Sequence, residues 1–110
     1  MSLKLDKINH TLQQELAIAL NRQALLEGAL ITVSYVECSP DLKQAKIGIS
    51  VLPDNLAGTV LKKIKAITHI LVVDLKKRLK LRRLPKFNWE FDSSEREAEK
   101  IEKIIAEANL

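Results

Sequence analysis

The stretch from Lys62 to Lys86 constrains this chain most, because it combines a strong charge with a helical pattern of apolar residues. It holds ten of the eighteen Lys and Arg residues and one acid, Asp74, so its net charge is +9. Since the whole chain has a formal net charge of +4, the remaining residues sum to −5. We call residues 62–86 the basic segment.

Apolar side chains recur through the basic segment at steps of three or four residues, the spacing that places them on one face of an α-helix. They are Leu61, Ile64, Ile67, Leu71, Leu75 and Leu79. At about 100° per residue, five lysines project to the opposite side. These are Lys62, Lys65, Lys76, Lys77 and Lys80. One face of the predicted helix therefore packs against the protein, and the other attracts anions.

Three aliphatic residues interrupt this division. Ala66, Ile70 and Val73 project onto the side occupied by the lysines. We therefore predict two helices over about residues 55–81 that meet at a kink, because β-branched residues in sequence lower helix propensity and a rotated second helix buries more apolar surface. The kink residues are Ala66, Ile67 and Thr68. The alternative is one straight helix that exposes the three aliphatic side chains.

Length and composition limit the class of protein. The 110 residues, 46% apolar and 29% charged, suit one soluble globular domain. No apolar run approaches the roughly 18 to 20 residues that cross a bilayer, and the polar N-terminus lacks the apolar region of a signal peptide. One cysteine allows neither an internal disulfide nor a cysteine zinc cluster. We expect a cytoplasmic protein without contact to a membrane.

A helix and two strands precede the basic segment. Apolar periodicity predicts the helix over about residues 3–22. A β-branched run predicts a strand at Leu30–Glu37, and alternating apolar and polar residues predict another at Gln44–Leu52. The connection Cys38–Leu42 carries turn chemistry, because Pro fixes φ and the Ser and Asp side chains bond local backbone. The two strands are therefore expected to form a hairpin.

Aromatic residues mark a third strand after Leu84-Pro85, where proline ends the helix. Phe87, Trp89 and Phe91 alternate with polar residues. In a basic protein such a stripe is typical of a base-stacking platform or of the core face of a sheet, and we interpret it as core. Beyond it, residues 94–97 match a capping box and precede a short helix rich in Glu.

This order of elements predicts a two-layer α+β domain with the helices on one face of a three-stranded sheet. Two motifs of this chain are the most distinctive: Ser39-Pro40-Asp41-Leu42 with Ala45-Lys46, and Leu81-Arg82-Arg83-Leu84-Pro85 with Phe87. Beside them stand Ile8-Asn9, Gln14-Glu15-Leu16, Val36-Glu37-Cys38, Ile47, Arg78, Asp92-Ser93-Ser94 and Ile101-Glu102. In these residues the chain resembles the ribosome-binding factor A family.

The resemblance implies a type II KH-like domain with the order α-β-β-α-(kink)-α-β over residues 1–92, and an acidic helical extension over residues 93–110. The family has an Ala-x-Gly interruption between its central helices, where this chain has Ala66-Ile67-Thr68. The implied function is that of a non-catalytic assembly factor. Such a factor binds the precursor of the 30S ribosomal subunit and its 16S rRNA, and promotes late maturation of the subunit.

The residues themselves suit RNA binding, because lysines and arginines neutralise phosphates and release counterions, and arginines add forked donors. The predicted RNA-binding residues all come from the basic segment: Lys62, Lys65, Lys76, Lys77, Arg78, Lys80, Arg82, Arg83 and Lys86. Lys43 and Lys46 on the hairpin are predicted accessory contacts. Two alternatives remain open: a generic single-stranded RNA-binding module, and a module that uses the basic amphipathic helix to bind a membrane surface or a protein.

Catalysis finds little support in the sequence. His10 and His69 lie far apart and outside any metal-ligand spacing, and Cys38 has no neighbouring histidine. The three glycines form no phosphate-binding loop. We therefore predict a monomeric protein that is not an enzyme and has no cofactor, no metal site and no catalytic residue.

Overall fold

The structure, a computed structural model, describes residues 3–92. Its elements are α1 (Leu3–Gln23), β1 (Leu30–Cys38), β2 (Gln44–Leu52), a 3-10 turn (Asp54–Leu56), α2 (Ala57–Leu79) and β3 (Lys86–Phe91). The predicted first helix and both predicted hairpin strands are confirmed to within one residue at each end. The predicted extension 93–110, with its capping box and helix, lies outside the described residues. Within the described part, neither helix is long and apolar enough to span a membrane.

The three strands form one mixed sheet in the order β1-β2-β3. β1 and β2 are antiparallel, with Leu30 opposite Leu52, which confirms the hairpin. β2 and β3 are parallel, with Gln44 opposite Lys86. Because consecutive parallel strands require a long crossover, α2 must run back across the sheet between them. The predicted α+β class is confirmed.

A bulge in β1 keeps its apolar side chains on the helix-covered face. The register with β2 shifts between Val33 and Tyr35, so the buried positions change from Val33 to Val36. An extra residue in one strand reverses the alternation of faces that follows it. At this point the Gln13 Nε2 of α1 donates hydrogen bonds to the carbonyls of Val33 (3.1 Å) and Ser34 (3.2 Å).

One turn earlier in α1, Asn9 binds the other end of the same strand. Its Oδ1 accepts a hydrogen bond from the backbone N–H of Cys38 at 2.8 Å. Asn9 and Gln13 lie four residues apart and therefore on one face of the helix. Together they bind the backbone of β1 at two places. These bonds hold α1 in contact with β1 and also fix its position along the strand.

The core lies between the two helices and the sheet. The most deeply buried large side chains come from α1 (Leu12, Leu16, Leu20), α2 (Val60, Ile64, Leu71, Leu75) and β2 (Ile47, Ile49). Full burial of such a side chain contributes roughly 1.5–3 kcal/mol. The apolar stripe predicted for the basic segment thus faces the core, and the central strand β2 supplies the sheet's most buried residues.

The prediction of two helices in the basic segment is wrong. α2 is one helix from Ala57 to Leu79, and the predicted kink residues Ala66, Ile67 and Thr68 lie inside it. The lower propensity of β-branched residues amounts to a few tenths of a kcal/mol each, which tertiary packing outweighs. As the straight-helix alternative predicts, Ile70 and Val73 are exposed, by 45% and 53%, and Ala66 is exposed too.

Thr68 joins this turn of α2 to the sheet. Its hydroxyl donates to the carbonyl of Ile64 at 2.8 Å and accepts from the indole Nε1 of Trp89 at 3.0 Å. Trp89 in turn packs edge-to-face on Phe87, with ring centroids 5.9 Å apart. The aromatic stripe of β3 therefore lies on the core face, as predicted, with Phe87 buried and Trp89 half-buried.

Position 48 requires glycine because the Tyr35 ring lies very close to its backbone. This contact is on the face of the sheet that the two helices leave uncovered. Gly48 pairs with Tyr35 across the β1–β2 ladder, and a Cβ placed at Gly48 would overlap the Tyr35 ring. We expect Gly48→Ala to lower the free energy of unfolding by about 1–3 kcal/mol, measured by urea denaturation. In a variant that already carries Tyr35→Ala, Gly48→Ala should cause little further loss of unfolding free energy, because the overlapping ring is absent.

Gly58 is the matched control, because a Cβ there meets no atom within 4 Å. Since Gly58 lies in the first turn of α2, Gly58→Ala should stabilise the protein by about 0.5–1 kcal/mol. Equal effects of the two alanine substitutions would contradict the role assigned to the Tyr35 ring.

An ion pair connects the two helices. The Arg78 guanidinium lies 2.8 Å from the Glu15 carboxylate, with about a quarter of each side chain exposed, and 3.9 Å from Asp74 one turn earlier in α2. We expect Arg78→Met to lower the free energy of unfolding by about 1 kcal/mol, because it leaves the half-buried Glu15 without its partner. Thermal or urea denaturation measures this.

Asp74→Asn is the control for that substitution, because Asp74 is more exposed and more distant from Arg78. Its effect should stay below about 0.5 kcal/mol. The single variant Glu15→Met and a double replacement of Glu15 and Arg78 by Met then give the coupling energy of the pair. A coupling near zero would show that the two side chains do not stabilise the helix contact.

Candidate nucleic-acid interface

The outward side of α2 presents a line of lysines. Lys62, Lys65, Lys77 and Lys80 are exposed and Lys76 is half-buried. The side chains that project to the opposite side of the helix are those of the buried stripe. From Lys62 to Lys80 the line extends about 27 Å, at about 1.5 Å per residue. The orientation expected from periodicity for these five lysines is therefore the one in the structure.

Arg78 does not belong to this line. It lies on the side of α2 that faces α1, where it pairs with Glu15. Of the described residues, Asp74 is the one acid of α2, and it lies next to Arg78. Glu15 and Asp74 therefore both lie beside Arg78, and of the outward lysines Lys77 lines a surface depression together with Asp74.

The chain leaves α2 through a left-handed residue that redirects it toward the sheet. Lys80 has φ +55°, and the N–H groups of Lys80 and Leu81 both bond to the carbonyl of Lys76, the latter at 3.0 Å. These two bonds satisfy the carbonyl of Lys76 in the last turn of the helix. The following loop exposes Arg82 and Arg83 and buries Pro85. The two arginines are therefore exposed cations that follow the lysines in the chain, beyond the end of the helix.

The hairpin turn meets this loop. The N–H of Lys86, the first residue of β3, donates to the carbonyl of Lys43 at 2.9 Å. Within the turn, the Asp41 carboxylate accepts hydrogen bonds from the Ser39 hydroxyl (2.6 Å) and the Lys43 N–H (3.1 Å). These bonds hold the pKa of Asp41 below its usual range, so its contribution to the turn is present at neutral pH and is lost as the pH falls through that lowered pKa.

A groove of about 690 Å³ opens where α1, the hairpin turn and the loop after α2 come together. Lys7, Lys43 and Arg83 line it, together with the Asp41 carboxylate and the exposed apolar side chains of Leu42 and Leu81. We call Lys7, Lys43 and Arg83 the groove cations. The structure brings the predicted residues Lys43 and Arg83 together and adds Lys7, which sequence reasoning missed. Its outward position on α1 was visible in the sequence, but nothing there placed it beside residues 43 and 83.

Lys46 lies elsewhere, on the helix-free face of the sheet. It lies opposite Asn88 in the β2–β3 ladder, and it lines a cavity together with Glu37 and Glu90. Burial and then the carboxylates of Glu90, Asp92 and Glu37 raise the pKa of Tyr35 on the same face. This face is therefore less favourable to a polyanion than the outward side of α2. Of the predicted cations, only Lys43 lines the same cavity as Lys46.

The remaining reactive side chains have structural surroundings. Cys38 is buried, and burial raises the pKa of its thiol, which keeps it protonated. Over residues 3–92, no three His, Cys, Asp or Glu side chains gather in a way that could hold a metal ion. What the described surface offers is a set of cations suited to phosphate oxygens.

Known proteins similar to this chain agree with one another. A family model described as ribosome-binding factor A matches residues 4–105. The ribosome-binding factor A of Chromohalobacter salexigens is 32% identical over 107 residues, which cover 94% of this chain and 82% of that protein. That of Akkermansia muciniphila is 29% identical over 94 residues, covering 86% and 75%.

The ribosome-binding factor A of Thermus thermophilus is similar in fold. The crystal structure has a TM-score of 0.68 at 21% identity and covers 79% of this chain and 94% of that one. A homology model fitted into a cryo-electron-microscopy map of a 30S complex has a TM-score of 0.57 at 26% identity, covering 76% and 93%. Because the family model matches residues 4–105 of the 110, this chain belongs to the ribosome-binding factor A family.

Proposed function

We propose that this protein is a non-catalytic assembly factor that acts as a monomer in the cytoplasm. It binds the precursor of the 30S ribosomal subunit through 16S rRNA and promotes late maturation of the subunit. Family membership supports this role, as does the Thermus thermophilus relative, which is described in complex with the 30S subunit. Residues 1–92 form the binding domain, and residues 93–110 form an extension of it.

The observation that carries this proposal is a row of cations that form no ion pair with the acids of residues 3–92. The lysines along α2 are outward, and among residues 3–92 neither Arg82 nor Arg83 forms an ion pair. Cations that are not neutralised within the protein can neutralise phosphates and release condensed counterions. The proposed contacts are Lys62, Lys65, Lys76, Lys77, Lys80, Arg82, Arg83 and Lys86, with the groove cations Lys7 and Lys43 beside them.

The protein would act through binding energy alone. A ligand shifts an equilibrium between two RNA arrangements only by the difference in its affinity for them. The line of lysines on α2 is about 27 Å long, and the groove lies at one end of it. The protein therefore favours an RNA arrangement in which phosphates reach both the lysines and the groove cations. Arg78 stabilises the helix that carries these lysines through its ion pair with Glu15. The carboxylates on the open face of the sheet repel phosphates, so RNA binds on the other side of the protein.

Reversing the charge of the two loop arginines tests the proposed contact. We expect Arg82→Glu with Arg83→Glu to weaken binding to immature 30S subunits about tenfold or more, with a nearly unchanged thermal midpoint, because both side chains are exposed. Filter binding or sedimentation with purified subunits measures the affinity. The salt dependence should also become less steep, by about one unit of logarithmic slope per lost phosphate contact.

The charge-matched control is Lys4→Glu with Arg22→Glu. These residues are exposed on α1, and their replacement changes the net charge by the same amount. We expect this control to bind nearly as well as the unaltered protein. If both double variants lose affinity equally, only net charge matters and the proposed surface is wrong.

The preference for the subunit over other polyanions separates the proposal from its rivals. We expect tighter binding to immature 30S subunits than to poly-uridine or to anionic phospholipid vesicles, measured at two salt concentrations. A difference that persists at high salt reflects shape, since the non-specific electrostatic contribution falls steeply with salt. Equal affinity for poly-uridine would instead identify a generic single-strand binder, and tight vesicle binding a membrane-surface module.

A further inference from the structure

The groove between α1, the hairpin turn and the loop after α2 has an apolar wall as well as its cations. Leu42 and Leu81 line it and are 40% and 45% exposed. Leu84 and Pro85 also line it and are more deeply buried. Its volume of about 690 Å³ lies within the range of about 300–1,000 Å³ that is typical of ligand sites. The groove can therefore hold a ligand that has both a charged part and an apolar part.

Leu42 lies in a backbone conformation that is unfavourable for leucine. Its φ is +60°, in the left-handed region, which glycine and asparagine adopt more easily. Its N–H donates to the carbonyl of Ser39 at 2.9 Å, a bond between backbone groups that closes the turn. The turn itself therefore does not require leucine at position 42. The side chain instead supplies apolar surface to the groove.

The charges of the groove favour a ligand with one anionic end. Lys7, Lys43 and Arg83 carry three positive charges and Asp41 one negative charge, so these four residues have a net charge of +2. The Asp41 carboxylate accepts two hydrogen bonds within the turn and has further acceptor capacity. It can accept a hydrogen bond from the amino group of a base, but it repels a second anionic group.

A nucleotide of RNA combines these chemical groups. Its phosphate is anionic, and its base has apolar faces and a polar edge. The base is open to a protein where it is unpaired, in loops, bulges and ends. The lysines along α2 lead to the groove, because Leu79, the last residue of that helix, lines it. RNA that is bound along α2 can therefore place one nucleotide in the groove.

We propose that this groove binds one unpaired nucleotide of RNA, with the base against Leu42 and Leu81 and the phosphate beside the groove cations. The proposal rests on the proposed function and adds to it the kind of RNA that is recognised. A double-stranded segment can contact the lysines of α2 but leaves the groove empty, because its bases are paired. The protein therefore binds most tightly to an rRNA arrangement in which a base near α2 is unpaired.

Two probes of equal charge test the base contact in the full chain. One is a short oligoadenylate, and the other has the same number of ribose phosphates without bases. We expect the unaltered protein to bind oligoadenylate at least about fivefold more tightly, because the bases add apolar contact that phosphates do not supply. Leu42→Asn and Leu81→Ala should each bring this ratio of affinities close to one. Fluorescence anisotropy measures both affinities.

The variant Leu42→Asn should fold normally. Because asparagine adopts a positive φ more easily than leucine, its thermal midpoint should equal or exceed that of the unaltered protein. The matched control is Leu30→Asn, which also replaces an exposed leucine but lies at the end of the hairpin away from the turn. We expect this control to keep the preference for oligoadenylate.

Binding to immature 30S subunits separates this proposal from the proposed function. Leu42→Asn should weaken subunit binding about threefold or more. The salt dependence of binding should stay unchanged, because no phosphate contact is lost. This differs from the reversal of Arg82 and Arg83, which should make the salt dependence less steep.

The groove proposal is wrong if Leu42→Asn keeps the full preference for oligoadenylate, or if the unaltered protein binds the two probes equally. The proposed function would still stand in either case, provided that reversal of Arg82 and Arg83 weakens subunit binding. A peptide of alternating Glu and Leu is the third probe. If it binds more tightly than oligoadenylate and loses that affinity in Leu42→Asn, the groove binds a protein and the nucleotide proposal is overturned.

Discussion

The parallel pairing of β2 with β3 is the constraint on which the rest of the structure depends. It requires a connection that returns across the sheet, and α2 is that connection. Once α2 crosses the sheet, one side of it must be buried, and Ile64, Leu71 and Leu75 are fully covered. The bond from Trp89 to Thr68 then ties the helix to the strand that its own crossover brings into place.

This packing also sorts the charges of the protein. The side of α2 turned toward α1 carries Arg78 and Asp74, and Arg78 is neutralised by Glu15. The outward side carries lysines, and the carboxylates of Glu37 and Glu90 lie on the open face of the sheet. Within the described residues, a surface for a polyanion therefore results from the same burial that forms the core, because the packing that buries one side of α2 leaves its lysine side exposed.

Local periodicity predicted the elements well, and its failures have physical reasons. The kink at residues 66–68 was inferred from exposed aliphatic residues, on the assumption that apolar side chains must be buried. In the described structure they remain exposed on an unbroken helix. The bulge after Val33 was not predicted, because the β-branched run shows no alternation there. Its position depends on pairing with β2 and on the amide of Gln13, twenty residues earlier.

The sequence by itself determined which stretches are helices and strands, which side of α2 faces the core, and that the positive charge is concentrated in residues 62–86. These are local properties, because a period of 3.6 or 2 residues is set by the geometry of the backbone. Only the tertiary structure decided that Arg78 pairs with Glu15, that Lys7 and Lys43 lie beside Arg83, and that Lys46 shares a cavity with Glu37 and Glu90 on the open face of the sheet. Distances between residues far apart in the chain follow from strand order and helix crossing, which no local period contains.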